Sequence, residues 1–139
     1  MAQVTIRKIV EGDAHLVLRV DMVSDGSTGE LVNYPILSPS DLNPARANNR
    51  PAFRIMQMWY GCVWFDIDLD AAGVTNANMW TIARDCDSHI DFRSFGGIID
   101  PGVYVVPPPD DYGILLMSTN GFTPAGSKGT LVLELRKTN

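Results

Sequence analysis

Two short stretches concentrate the residues capable of chemistry. "FDIDLD", residues 65–70, sets carboxylates at Asp66, Asp68 and Asp70 with an apolar residue between each pair. "DCDSHID", residues 85–91, gathers Cys86, His89 and three aspartates within seven positions. Closely spaced carboxylates are ligands for calcium or magnesium, and cysteine beside histidine suits zinc binding or an activated nucleophile. Neither stretch completes the pattern that its chemistry needs. A helix-loop-helix calcium site follows its acids with glycine at the sixth position and glutamate at the twelfth, and here those positions are Ala71 and Ala77. A looser calcium or magnesium site on Asp66, Asp68 and Asp70 stays open. Alternation accounts for the stripe without an ion: on a strand over 63–69, the three aspartates share the outer face with Trp64, while Phe65, Ile67 and Leu69 point inward.

Around Cys86 and His89 the chain offers one other histidine, His15, and one distant cysteine, Cys62. It carries no GxSxG, no HExxH and no glycine-rich phosphate loop. The reading is therefore no enzyme and no cofactor, with 85–88 as a turn, His89 and Asp91 facing out, and Ile90 and Phe92 in the core. The two cysteines lack CxxC spacing and read as reduced thiols, although spacing alone leaves a disulfide open. "MQMWYGCVW", residues 56–64, brings Trp59, Tyr60 and Trp64 together. Trp59 and Tyr60 are adjacent, so on a regular strand one of them faces outward, where aromatic rings serve sugar or protein contacts.

The elements that must position these residues are strands. In 15–22, Leu16, Leu18, Val20 and Met22 alternate with His15, Val17, Arg19 and Asp21, which predicts one face on a core and one toward solvent. The segment 130–137 repeats the pattern with Leu131, Leu133 and Leu135, and should close a sheet. Further strands are expected at 4–10, 30–37, 53–60, 63–69, 79–84, 89–92 and 114–118. Nine strands suit a sandwich or barrel. "SDGSTG" (24–29) and "NGFTPAGSKG" (120–129) read as hairpin connections. The longer loops, 38–52 and 95–113, have the length of segments that carry function, and "PPP" at Pro107, Pro108 and Pro109 stiffens the second. No helix of ordinary length is expected.

Composition bounds the rest. A chain of 139 residues, 45% hydrophobic, is enough for one folded domain, here 1–139. Nine prolines and twelve glycines spread between apolar runs describe a turn-rich globule. A net charge of −5 lacks the basic footprint that nucleic-acid backbones require. The N-terminal "MAQVTIRKIVEG" has no uninterrupted apolar run, and no stretch approaches the roughly 20 apolar residues of a membrane helix, so neither export nor membrane insertion is expected.

Three stretches, "VEGDAHLVLRVDMVSDGSTGELVNYPIL", "HIDFRSFGG" and "LLMSTNGFTPAGSKGTLVLELRK", together resemble small structural proteins of tailed-bacteriophage virions. The likeness is one of overall pattern over about half the chain, and no functional residue carries over by motif. It implies a jelly-roll-like antiparallel β-sandwich of eight or nine strands, made in the host bacterial cytoplasm and placed on the virion. Its partner would be the major capsid protein, whose shell it would bind from outside as a decoration or cement protein, often as a homo-oligomeric trimer. On that reading, Arg46, Arg50 and Arg54 would pair with carboxylates on the shell or a neighbouring copy, and Tyr104 with Pro107, Pro108 and Pro109 would give a pre-ordered apolar edge. Alternatives are a tail, neck or fibre-associated virion protein, or a carbohydrate-binding β-sandwich that uses Trp59, Trp64 and the carboxylates.

Overall fold

The computed structural model describes residues 3–26, 30–38, 41–42, 53–72, 76–98, 114–122 and 124–137. They form nine strands: β1 (Gln3–Glu11), β2 (His15–Val23), β3 (Tyr34–Leu37), β4 (Phe53–Cys62), β5 (Asp66–Ala71), β6 (Ala77–Ile82), β7 (Asp87–Asp91), β8 (Leu115–Asn120) and β9 (Lys128–Lys137). Among the described residues there is no α-helix, and no helix long and apolar enough to cross a membrane. A five-stranded sheet runs β1-β2-β9-β4-β7 and a four-stranded sheet runs β3-β8-β5-β6, with every pair antiparallel. The fold is an antiparallel β-sandwich.

Pairing is nested. β2 pairs with β9, β3 with β8, β4 with β7 and β5 with β6, as in one long hairpin with its tip at β5–β6. Rolling that hairpin sends successive pairs to alternate sheets, and β4·β9 and β5·β8 contacts then complete each sheet. The expected hairpins at 24–29 and 120–129 are therefore corrected: β2 and β3 belong to different sheets, and so do β8 and β9, while residues 27–29 and 123 themselves lie outside the described residues. Turn-forming residues bend the chain but do not choose the partner of the next strand. The two crossings lie side by side, with Ser24 N–H donating to Ser127 O and Gly126 N–H to Ser24 O.

The core follows from alternation. Leu16, Leu18, Val20 and Met22 of β2 and Leu131, Leu133 and Leu135 of β9 are essentially fully buried, and they face Ile67 and Leu69 of β5 and Leu115 and Met117 of β8 across the sandwich. Each such side chain stabilises the fold by about 1.5–3 kcal/mol. β4 departs from strict alternation: a bulge between Ile55 and Gln57 lets Ile55 and Met58 both point inward and returns Gln57 and Trp59 to the outer face. Phe65 and Phe122, their ring centroids 4.7 Å apart, pack where β4 passes into β5 and β8 into β9. Gly129 makes room for them, since a Cβ there would lie 2.8 Å from Phe65 Cζ.

Several strand boundaries shift for backbone reasons. The strand expected over 30–37 is reduced to Tyr34–Leu37, because Asn33 sits at φ +49°. Glu30 instead clamps the β8–β9 crossing: its Oε1 accepts from the N–H groups of Gly121 and Phe122, and its Oε2 from the Thr119 hydroxyl. The strand expected over 63–69 begins at Asp66, since Trp64 has φ +75°. The turn expected over 85–88 is confined to Arg84 and Asp85, with Asp85 at φ +57°, and Asp87 and Ser88 already belong to β7.

Candidate functional site

Asp66, Asp68 and Asp70 lie on the outer face of the four-stranded sheet, each with a neighbour. Asp66 pairs with Arg84 at 3.7 Å, Asp68 accepts from the Thr81 hydroxyl at 2.7 Å, and Asp70 accepts from Asn78 Nδ2 at 2.9 Å. Alternate residues of a strand stand about 6.6 Å apart, so Asp66 and Asp70 are separated by about 13 Å, too far to share an ion whose oxygen ligands sit at about 2.3–2.6 Å. Among the described residues, no group of three or more His, Cys, Asp or Glu side chains could hold a metal ion. Trp64 does not share the stripe: its left-handed backbone lies outside β5, where its N–H donates to Asp85 Oδ1 at 2.6 Å.

The outer face of the five-stranded sheet is organised differently. The register aligns His89, Trp59, Val132, Arg19 and Arg7 in one row across β7, β4, β9, β2 and β1. The adjacent row is Asp87, Gly61, Thr130, Asp21 and Thr5. In the first row the His89 and Trp59 rings stack, 4.7 Å between centroids and 10° from parallel. Gln57, buried below them, donates from Nε2 to Glu134 and so turns its carbonyl toward His89 Nε2, 2.8 Å away. That orientation gives the Nε2 hydrogen to His89 and fixes its ring against the indole. At the end of β7, Arg93 donates to Asp91 through its backbone N–H, Nε and Nη2. Those bonds hold the Asp91 carboxyl at about 2.

In the second row Asp21 is saturated. It accepts from Arg19 Nε and the Thr130 hydroxyl, both at 2.9 Å, and lies 4.0 Å from Arg7. Burial pushes its carboxyl up, but these bonds and the two guanidinium charges outweigh that and leave it below its ordinary value. Asp87, in contrast, has no hydrogen-bond or ion-pair partner among the described residues. Between Asp87 and Thr130 stands Gly61, and its missing side chain opens a hollow of about 360 Å³ walled by Trp59, His89, Asp87, Thr130 and Val132. Two neighbouring cavities, of about 410 Å³ toward Val63 and Cys86 and about 310 Å³ toward Val23 and Lys128, also border Gly61. Trp64, Val63 and Val23 are exposed at this end of the sheet.

Other residues singled out in the sequence fall elsewhere. Cys62 is buried and Cys86 exposed, both as free thiols. Burial raises the Cys62 thiol above its usual range, and it donates to Ala83 O. No hydrogen bond joins Cys86 to His89 among the described residues. Arg54 belongs to β4, within the strand expected over 53–60; it is half-buried, with Nη1 3.5 Å from Gly96 O and Nε without a partner among the described residues. Arg46, Arg50, Tyr104, Pro107, Pro108 and Pro109 lie outside the described residues. Sequence reasoning missed the role of Gly61, Asp87 and Thr130. A glycine inside a strand pattern marks a close approach or an open site, but its neighbours across the sheet come from distant segments. No protein-family model matches the chain, and neither does any curated protein.

Proposed function

We propose that this domain is a structural protein of a tailed-bacteriophage virion, attached to the outside of the major capsid protein shell as a decoration or cement protein. The observation that carries the reading is how the resembling stretches meet in the fold. The first contains β2 and β3 and the last contains β8 and β9, and these pair as β2·β9 and β3·β8, one pair in each sheet. Glu30 and Ser24 from the first stretch also hydrogen-bond to the crossing between β8 and β9. The stretches from the two ends of the chain on which the resemblance rests are thus parts of one folded unit.

The nested strand order supports a jelly-roll-like description, an architecture found in viral capsid domains and in lectins. A fold hosts many functions, so the assignment depends on a physical role that the domain can fill. A sandwich seated across neighbouring shell subunits resists their separation by adding buried area at every copy, and many copies compensate for modest single contacts. The role needs no catalysis and no cofactor. Trimeric association is part of the proposal.

The test is the copy number of the protein in purified particles, by quantitative mass spectrometry. A number comparable with that of the major capsid protein is expected. A few copies per particle would place it at the neck or tail, and absence would remove the virion reading. Trp59 at the rim of the hollow favours a second reading, a carbohydrate-binding module, which glycan arrays with and without chelator would detect.

A further inference from the structure

We infer that the hollow over Gly61 is a receptor for a basic side chain, lysine or arginine, presented by the protein to which this domain attaches. The inference rests on the reading of the domain as one that binds another protein. Its observations are the shape of the hollow, the charge around it and the state of each carboxylate near it.

The shape comes from one missing side chain. Gly61 has no left-handed φ, and a Cβ built on it meets nothing closer than Asp87 Cβ at 3.6 Å, so the strand has room for a larger residue that the sequence does not supply. The walls on the β4 and β9 side, Trp59 and Val132, are apolar. On the β7 side stands Asp87, a carboxylate without a partner among the described residues. Asp21 is occupied by Arg19 and Thr130, and Asp85 by Trp64 N–H. The charged residues bordering the three hollows that meet Gly61 are Asp21, Asp85 and Asp87 against Lys128. An aliphatic stem along apolar walls with a positive end at a free carboxylate is what lysine and arginine offer.

A sugar fits less well. Carbohydrate rings lie flat on an open aromatic face, but His89 covers one face of the Trp59 indole, and Val132 is the cross-strand neighbour on its other side. An apolar occupant would leave Asp87 beside it without a counter-charge. A basic side chain uses every wall.

The hollow can be tested without particles. Arginine amide, lysine amide, glutamine amide and methyl glucoside are titrated into the ¹⁵N-labelled domain, and backbone amide shifts are followed. The two cationic probes are expected to shift Gly61, Asp87 and Thr130 saturably, with weaker binding at higher salt, while glutamine amide and methyl glucoside leave those signals in place. Asp87→Asn should weaken the cationic probes by up to about fivefold, the range of an exposed ion pair. Gly61→Val should abolish the shifts in a domain whose melting temperature does not fall. Shifts from methyl glucoside alone would overturn the inference in favour of a glycan site. No shift from any probe, or cationic shifts that survive Gly61→Val, would also overturn it. These results are independent of copy number in particles, so the hollow and the virion reading can fail separately.

Discussion

Asp68 on β5 and Asp87 on β7 both point away from the core, yet their surroundings differ. Asp68 sits in a stripe where each carboxylate has a neighbour on β6 or in the following turn: Arg84, Thr81 or Asn78. Asp87 faces a glycine, and the space that a side chain would have filled stays open beside an aromatic pair. The stripe is eye-catching in the sequence, but each of its carboxylates has a neighbour; the hollow is inconspicuous in the sequence and has a charge without a partner among the described residues. A run of acidic residues on a strand is thus a weak sign of a site when each acid has a polar neighbour beside it.

The largest expected effect lies at the far end of β4 from the hollow. Gly97 sits at φ +88°, and a Cβ there would lie 2.7 Å from Met56 Sδ and 2.9 Å from Ile55 O. It directs Ile98 back to bridge Ile55, next to the stretch of β4 that pairs with β7. Gly97→Ala should cost about 3 kcal/mol in chemical denaturation. A variant as stable as the natural chain would show that the Gly97 turn does not brace this edge.

Filling the hollow separates function from stability. Gly61→Val places a β-branched residue on a strand with room for it, and should leave stability unchanged or raise it by up to about 1 kcal/mol. A marked fall in melting temperature would mean that the space is not open as described.

The pH dependence sharpens the contrast at intermediate size. Both Asp21 and Asp91 have depressed folded-state carboxyls, Asp91 at about 2 against an ordinary 3.8. Their contribution is therefore complete above the ordinary carboxylate range and is lost as pH falls through the depressed values. Denaturation midpoints should decline on acidification from about pH 5 toward pH 2, and Asp21→Asn should reduce the slope. An unaltered slope would remove Asp21 from the network with Arg19 and Thr130.

The smallest effect belongs to the stripe. Asp68→Asn with Asp70→Asn should change stability by less than about 1 kcal/mol, and millimolar calcium should leave the melting temperature of the natural chain where it was. A calcium-dependent rise would restore the stripe as a metal site.

Much of the sandwich was legible. Leu16 to Met22 and Leu131 to Leu135 alternate cleanly because each strand has one face on the core, and all nine expected strands have counterparts. Boundaries were missed where single residues adopt left-handed backbone: Asn33 and Asp85 are of types that enter it more readily than most, though neither type fixes it, and Trp64 gives no warning. Topology was missed at 24–29 and 120–129, because turn composition does not encode which sheet receives the next strand. The hollow was illegible for a related reason. Gly61 gains its meaning from Asp87 and Thr130, which only the nested pairing of β4 with β7 and β9 brings beside it.

The most direct measurement is quantitative mass spectrometry of particles assembled with the natural chain, with Gly61→Val, or with Asp68→Asn and Asp70→Asn together. The account predicts many copies of the natural chain and of the stripe variant, and strong depletion of Gly61→Val. Retention of Gly61→Val at the natural copy number would contradict attachment through the hollow, and absence of the natural chain would contradict the virion role itself.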